Sequence, residues 1–237
     1  MKAEAEAKAK SEAEAKAKAE AEAKAIEDAY IKGDELRILG NYSEAVKWYR
    51  LAADKGHAKA QNSLGSMYYH GNGVTKNYPE AIKWYKLSAA QGNFIAQYNL
   101  GWHYHNGAGV TQDYFEAVRL YKLAADHGYD KAQANLGLMY QDGNGVTQSY
   151  SEAMKWWKLS AAQGNLKAQN NIGVMYENGN GVTQSYSEAF RWWKLAADQG
   201  LATAQSNLGY MYATGKGVTK DDSEAARLYK LAADQGF

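Results

Sequence analysis

The sequence predicts an all-α fold, a solenoid of helix–turn–helix repeats preceded by a charged helix. Three observations carry this. Gly-Val-Thr recurs at Gly73, Gly109, Gly145, Gly181 and Gly217, a constant step of 36 residues, and a fixed period of roughly 20–50 residues marks a repeat array. Each period contains two apolar stripes at helical spacing, such as Ala168, Ile172, Met175 and Tyr176, then Ala189, Trp192, Trp193 and Ala196. Each second stripe also has its own start and stop residues.

Residues 1–24 alternate Ala with Lys or Glu. Alternation suits a strand, but Ala, Glu and Lys are strong helix formers. Charges four apart are always opposite: Lys2–Glu6, Glu4–Lys8, Glu6–Lys10, Lys8–Glu12 and onward to Glu20–Lys24. Such pairs each add about 0.2–0.5 kcal/mol to a helix. The segment is read as a solvated spacer helix; self-association as an ionic-complementary sheet is the alternative. Residues 25–56 form a degenerate first repeat, in which Ile26, Tyr30 and Gly33 keep the spacing of Leu64, Tyr68 and Gly71. Residues 57–237 hold five repeats, starting at His57, Asn93, Tyr129, Asn165 and Leu201.

Within a repeat, the mid-helix glycines Gly65, Gly101, Gly137, Gly173 and Gly209 cost about 1 kcal/mol each against alanine, so another helix is expected to come close there. Capping boxes are expected to start the second helices, at Asn41/Glu44, Asn77/Glu80, Asp113/Glu116, Ser149/Glu152, Ser185/Glu188 and Asp221/Glu224. Gly56, Gly92, Gly128, Gly164, Gly200 and Gly236 stop them as positive-φ glycines. The intervening G-x-G-V-T follows a helix and lacks both the third glycine and the Gly-Lys-Ser/Thr of phosphate loops, so it reads as a turn. The chain ends where another first helix would begin. That implies truncation from a longer array, with self-association through the open C-terminal end as the alternative.

The motifs L-G-x-x-Y-x-x-G-x-G-V and W-Y/W-x-x-A-A-x-x-G at period 36 resemble the Sel-one-like repeat family of the tetratricopeptide-like superfamily, over roughly residues 25–237. The resemblance implies a right-handed α/α superhelical solenoid, here with its N-terminal Ala/Glu/Lys-rich helix, acting as a bacterial adaptor in protein complexes. It also implies that the first helices line a concave groove. A cysteine-rich branch of the family staples its repeats with disulfides; this chain has no cysteine.

Repeat positions that vary on the outer side of the first helix are the candidate partner-binding residues. One row is Ser66, Trp102, Leu138, Val174 and Tyr210, directly after the glycine. A second is Asn62, Tyr98, Ala134, Asn170 and Ser206. A third is Tyr69, His105, Gln141, Glu177 and Ala213. Aromatic anchors beside amides suit an extended peptide or a partner helix. The competing reading is that the Ser66 row packs against the next repeat. Asn99, Asn135, Asn171 and Asn207 form a ladder best explained by inter-repeat hydrogen bonds.

Nothing in the sequence calls for catalysis, a cofactor or a metal. The capping role accounts for the recurrent glutamates, and no G-x-S-x-G nucleophile setting appears. His103 and His105 lie two apart, on different helix faces, unlike an i, i+4 metal pair. His103 stands where Met67 and Met139 stand, a core position, and the pairs Trp156/Trp157 and Trp192/Trp193 are read as core. A net charge of +1 favours neither nucleic acid nor an anionic membrane, and no apolar run suits membrane insertion or a signal peptide. The expected location is therefore cytoplasmic by default, or periplasmic or secreted if the N-terminus is incomplete. Two other classes stay open: an envelope or secreted role of cell-wall or β-lactamase-like type, as attached to some relatives, and a structural assembly role through residues 1–24.

Overall fold

The computed structural model describes residues 2–237, the side chain of Glu4 apart; the expected Glu4–Lys8 pair lies outside the described residues. All regular structure among the described residues is α-helical. It falls into two compact units, one ending at Gln112 and one spanning Asp113–Phe237. The first holds α1 (Lys2–Ile38), α2 (Tyr42–Asp54), α3 (Ala58–His70), α4 (Tyr78–Ala90) and α5 (Phe94–Asn106). The second holds α6 (Tyr114–Asp126), α7 (Asp130–Asp142), α8 (Tyr150–Ala162), α9 (Leu166–Asn178), α10 (Tyr186–Asp198), α11 (Ala202–Thr214) and α12 (Asp222–Ala233). Within each unit every helix packs on the next, so each is a stack of helical hairpins, an α/α solenoid.

The charged segment and the first repeat's first helix are one continuous helix, α1. Its exposed part carries Lys8–Glu12, Lys10–Glu14 and Lys16–Glu20 pairs at 3.9 Å. Such exposed pairs add only tenths of a kcal/mol. The apolar face begins at Ile26 and includes Ala29, Tyr30 and Leu36, which pack with α2 and α3. One expectation needs correction. Gly33 is not the counterpart of the turn residue Gly71; it is helical and lies under the ring of Tyr49. It therefore plays the part of Gly65, which lies under Tyr85.

That seat of a ring on a glycine recurs. The second-helix aromatic rests on the first-helix glycine at Gly137/Trp157, Gly173/Trp193 and Gly209/Tyr229. Trp157 and Trp193 are fully buried, and their indole N–H groups donate to the carbonyls of Ala134 and Asn170 at 3.0 Å. A side chain on the glycine would occupy the same space. The tryptophan preceding each of these points about a hundred degrees away from the seat and is less uniform: Trp156 is buried as expected, whereas Trp192, read as core, is only half-buried.

A second recurrent device is the glutamine of the first helix. Gln61 is buried, donates to the Ala53 carbonyl of the preceding second helix (3.1 Å) and accepts from Gln91 of the following one (2.7 Å). Gln133 and Gln205 do likewise in the second unit. One side chain thus ties three successive helices and leaves neither end of its amide without a partner, which a buried amide requires.

The helix caps form by one half of the expected capping box. Asn77, Asp113, Ser149, Ser185 and Asp221 each accept from the backbone N–H three residues on, while Asn41 makes no such bond. The reciprocal bond of a capping box is not how the cap N–H is satisfied. Asn77, Ser149, Ser185 and Asp221 instead donate their N–H to the carbonyls of Tyr68, Tyr140, Tyr176 and Tyr212 (2.8–3.0 Å). The glutamates are freed to pair with a base three residues on, as in Glu116–Arg119 and Glu224–Arg227. The stop glycines Gly56 to Gly236 all have φ between 83° and 91°. In the loops, Gly73 and Gly145 lie against the backbone of Tyr42 and Tyr114, at the start of the preceding second helix. The glycines of the turn are there for close approach.

A Cβ placed on Gly173 would stand 2.5 Å from Nε1 of Trp193, and one on Gly209 3.1 Å from Cε1 of Tyr229. Gly173→Ala is therefore expected to lose about 1–3 kcal/mol by overpacking, despite the roughly 1 kcal/mol gained in helix propensity. Gly209→Ala should lose less. Urea unfolding of both variants checks the order; a stabilised Gly173→Ala would contradict the seat.

Candidate functional site

With the glycine turned inward, the residue after it turns outward. Ser66, Trp102, Leu138 and Val174 are half-buried and Tyr210 is exposed. In the first unit these positions build a cavity of about 180 Å³ between α3 and α5. Ser66 and Tyr69 contribute from α3, Tyr98 and Trp102 from α5, with Tyr85 and His103 among its walls. The ring of Tyr69 stands edge-on to Trp102 at 5.4 Å and to His103 at 5.5 Å, both at 89°. Edge-to-face contact is a favoured arrangement of aromatic rings. Burial pushes the Tyr85 phenol well above its usual range, against a hydrogen bond to Ser66. His105 lies one turn beyond Trp102, half-buried and outside those walls.

One turn back along α3, Asn62 lines a wider depression of about 520 Å³ with Tyr30, Phe94 and Ile95. Asn99 donates to Asn62 (Nδ2 to Oδ1, 3.0 Å), so the ladder asparagine makes an inter-repeat bond and ties α3 to α5 between the two hollows. The sequence rows had no place for Phe94 and Ile95. Ile95 stands where other repeats carry Lys59, Lys131 and Lys167, and that substitution is the signal that would have found them.

In the second unit the same rows are more fully committed to packing. Leu138 packs against the cluster formed by α8 and α9, and Val174 against that of α10 to α12. Ala134 is buried outright. Asn170 accepts from Asn207 (3.0 Å); Asn171 has no such acceptor, because Ala134 stands opposite. Gln141 donates to Asp142 (3.0 Å), and Glu177 is half-buried. Tyr210 is the exposed anchor, with Lys216 donating to its hydroxyl (2.9 Å) and lying 5.0 Å over its ring.

Three buried polar atoms among the described residues lack a hydrogen-bond partner, Gln97 Oε1, Trp156 Nε1 and His103 Nε2, and of these His103 lies in the cavity wall. Met67, Met139, Met175 and Met211 fill the equivalent core slot. His103 fills it too, 1% exposed. Its Nδ1 lies 2.6 Å from the carbonyl of Ala108, so Nδ1 carries the proton and donates. Nε2 is buried with no hydrogen-bond partner. Burial lowers the imidazole pKa, opposed in part by the Ala108 bond, and keeps the ring neutral. Among the described residues no group of three or more His, Cys, Asp or Glu is placed to hold a metal ion, and no helix is long and apolar enough to cross a membrane.

Comparison with known proteins adds four findings. The family model of the Sel1 repeat matches residues 25–57, 58–93, 95–129, 130–165, 166–201 and 202–237. The crystal structure of c5321, a protective antigen of uropathogenic Escherichia coli strains displaying an SLR fold, is 36% identical. It covers 93% of this chain and 48% of its own, with a TM-score of 0.83. A Sel1 repeat protein from Oxalobacter formigenes is 33% identical over 88% of this chain and 83% of its own, with a TM-score of 0.84. The protein NMB1327 of Neisseria meningitidis serogroup B is 52% identical over 40 residues. The chain spans about half the length of c5321 and 9% of NMB1327.

The buried imidazole predicts a pH dependence. An unfolded histidine titrates near 6.5; the folded one titrates lower. Below about pH 6.5 the unfolded chain binds more protons than the folded one, so stability falls as pH drops through that value and is fully present above it. The urea midpoint should be lower at about pH 5 than at about pH 7, and His103→Met should remove most of the difference. An unchanged drop in that variant would assign it elsewhere.

Proposed function

The chain belongs to the Sel1 repeat family, and on that premise we propose that it is a non-catalytic scaffold that holds a protein or peptide partner on the outer face of its first helices. Sel1 repeats generally mediate protein–protein interactions. The observation that carries the reading is the aromatic-walled cavity of the first unit, where four of the candidate residues, Ser66, Tyr69, Tyr98 and Trp102, converge. Pockets that receive an anchor side chain are where binding energy concentrates, and aromatic residues dominate such places. The depression at Asn62 continues the surface by one turn of α3, which suits a partner lying along the helices with successive side chains in successive hollows.

In the second unit, Tyr210 and the polar edge formed by Gln141, Asn170 and Glu177 would add contacts, with Leu138 and Val174 presenting the part of their surface that packing leaves exposed. His105 would flank the first-unit anchor. Residues 2–24 serve as a solvated spacer, because a helix polar all round has no face to bury.

Peptides selected on the purified chain from a random library test this. Trp102→Ala should weaken a selected peptide by about thirtyfold or more, the loss typical of a hot-spot aromatic. Leu87→Ala, on the exposed side of α4, should leave it within about twofold. A peptide held equally well by Trp102→Ala, with melting unchanged in both variants, would move the site off this face.

A further inference from the structure

The cavity of the first unit has an acceptor without a donor. His103 uses Nδ1–H on the Ala108 carbonyl, and a neutral imidazole then offers Nε2 only as an acceptor. That atom is buried and unpaired, in a ring that forms part of the cavity wall. A buried acceptor left without a partner costs free energy, and four other repeats avoid the cost with methionine. An occupant that supplies a donor would recover it.

Resting on the reading of this cavity as the partner's anchor point, we infer that it takes a tyrosine side chain of the partner, whose phenol O–H donates to Nε2 of His103. Size supports one ring: a cavity of about 150 Å³ accommodates benzene, and this one is about 180 Å³. The walls include Tyr69, Tyr85, Tyr98 and Trp102, aromatic surface that suits a ring. Phenylalanine and aliphatic side chains fill the space but supply no donor. A lysine ammonium supplies one, but no acidic residue lines the cavity to offset its desolvation. Nε2 is screened from water, so the phenol reaches it by a rotamer change in the wall. The half-buried Tyr69, 5.5 Å from the imidazole, is the side chain placed to make it.

The test uses the side chains themselves as probes on the full chain: p-cresol for tyrosine, toluene for phenylalanine and n-butylammonium for lysine. Binding is followed by NMR shifts of the Trp102 indole and of the His103 ring nitrogens. p-Cresol should bind about tenfold more tightly than toluene, the worth of one hydrogen bond, and should move the Nε2 resonance. His103→Met, which installs the residue used by the other repeats, should bring the two affinities together while toluene binding persists. Equal binding of both to the wild type, a cresol preference that survives His103→Met, or a preference for n-butylammonium would overturn the tyrosine assignment alone. If none of the probes moves the Trp102 signal, the anchor cavity itself is refuted, and the assignment falls with it.

Discussion

The seat of an aromatic ring on a helical glycine is the constraint from which the rest of this molecule follows. The ring of the second helix needs the space that a Cβ would take, so the first helix carries glycine at Gly33, Gly65, Gly137, Gly173 and Gly209. That choice fixes the rotation of the first helix about its axis. Leu64, Met67, Leu136, Met139, Ile172 and Met175 then point into the core, and the residue after the glycine points away from it. The outer row is thus a by-product of packing. In the first unit this row lines a hollow, whereas in the second Leu138 and Val174 also pack against the core clusters.

Polar groups follow the same logic of contact between successive helices. The glutamine bridges and the N-cap donations to a tyrosine carbonyl satisfy backbone and side-chain groups across helices. Buried groups of this kind must be paired, and in a stack of successive repeats the partner comes from a helix nearby in the chain, the neighbouring one or the equivalent helix of the next repeat. His103 departs from that economy. It keeps one nitrogen paired and the other not, in the wall of the aromatic cavity between α3 and α5.

Much of this was legible in the sequence. The period, the two helices per repeat, the stop glycines and the close approach at Gly173 follow from residue spacing, because packing repeats when the sequence does. Two rungs of the asparagine ladder, at Asn99 and Asn207, were legible for the same reason; Asn171 was not, since its bond needs an asparagine where Ala134 stands. What was not legible depended on where backbone groups end up in space. The capping boxes were read from spacing alone, which cannot reveal that Tyr68 or Tyr176 offers a carbonyl to the cap N–H. The register of the first repeat was misread because Gly33 fits two spacings, and only the ring of Tyr49 distinguishes them. His103 was visible as a substitution for methionine, but its unpaired nitrogen and the hollow beside it are properties of the packed side chains. The separation of the outer row into a hollow first-unit part and a packed second-unit part was equally hidden, since Leu138 and Trp102 occupy the same repeat position.

The central claim is that the outer face of α3 and α5 is where a partner is held. Backbone hydrogen exchange of the chain alone and with a saturating selected peptide tests it most directly. The account predicts slowed exchange in the segments spanning Gln61–His70 and Gln97–Asn106, with the exposed side of α4 and the Gly-Val-Thr loops unchanged. Protection confined to α4, to those loops or to residues 2–24 would contradict it.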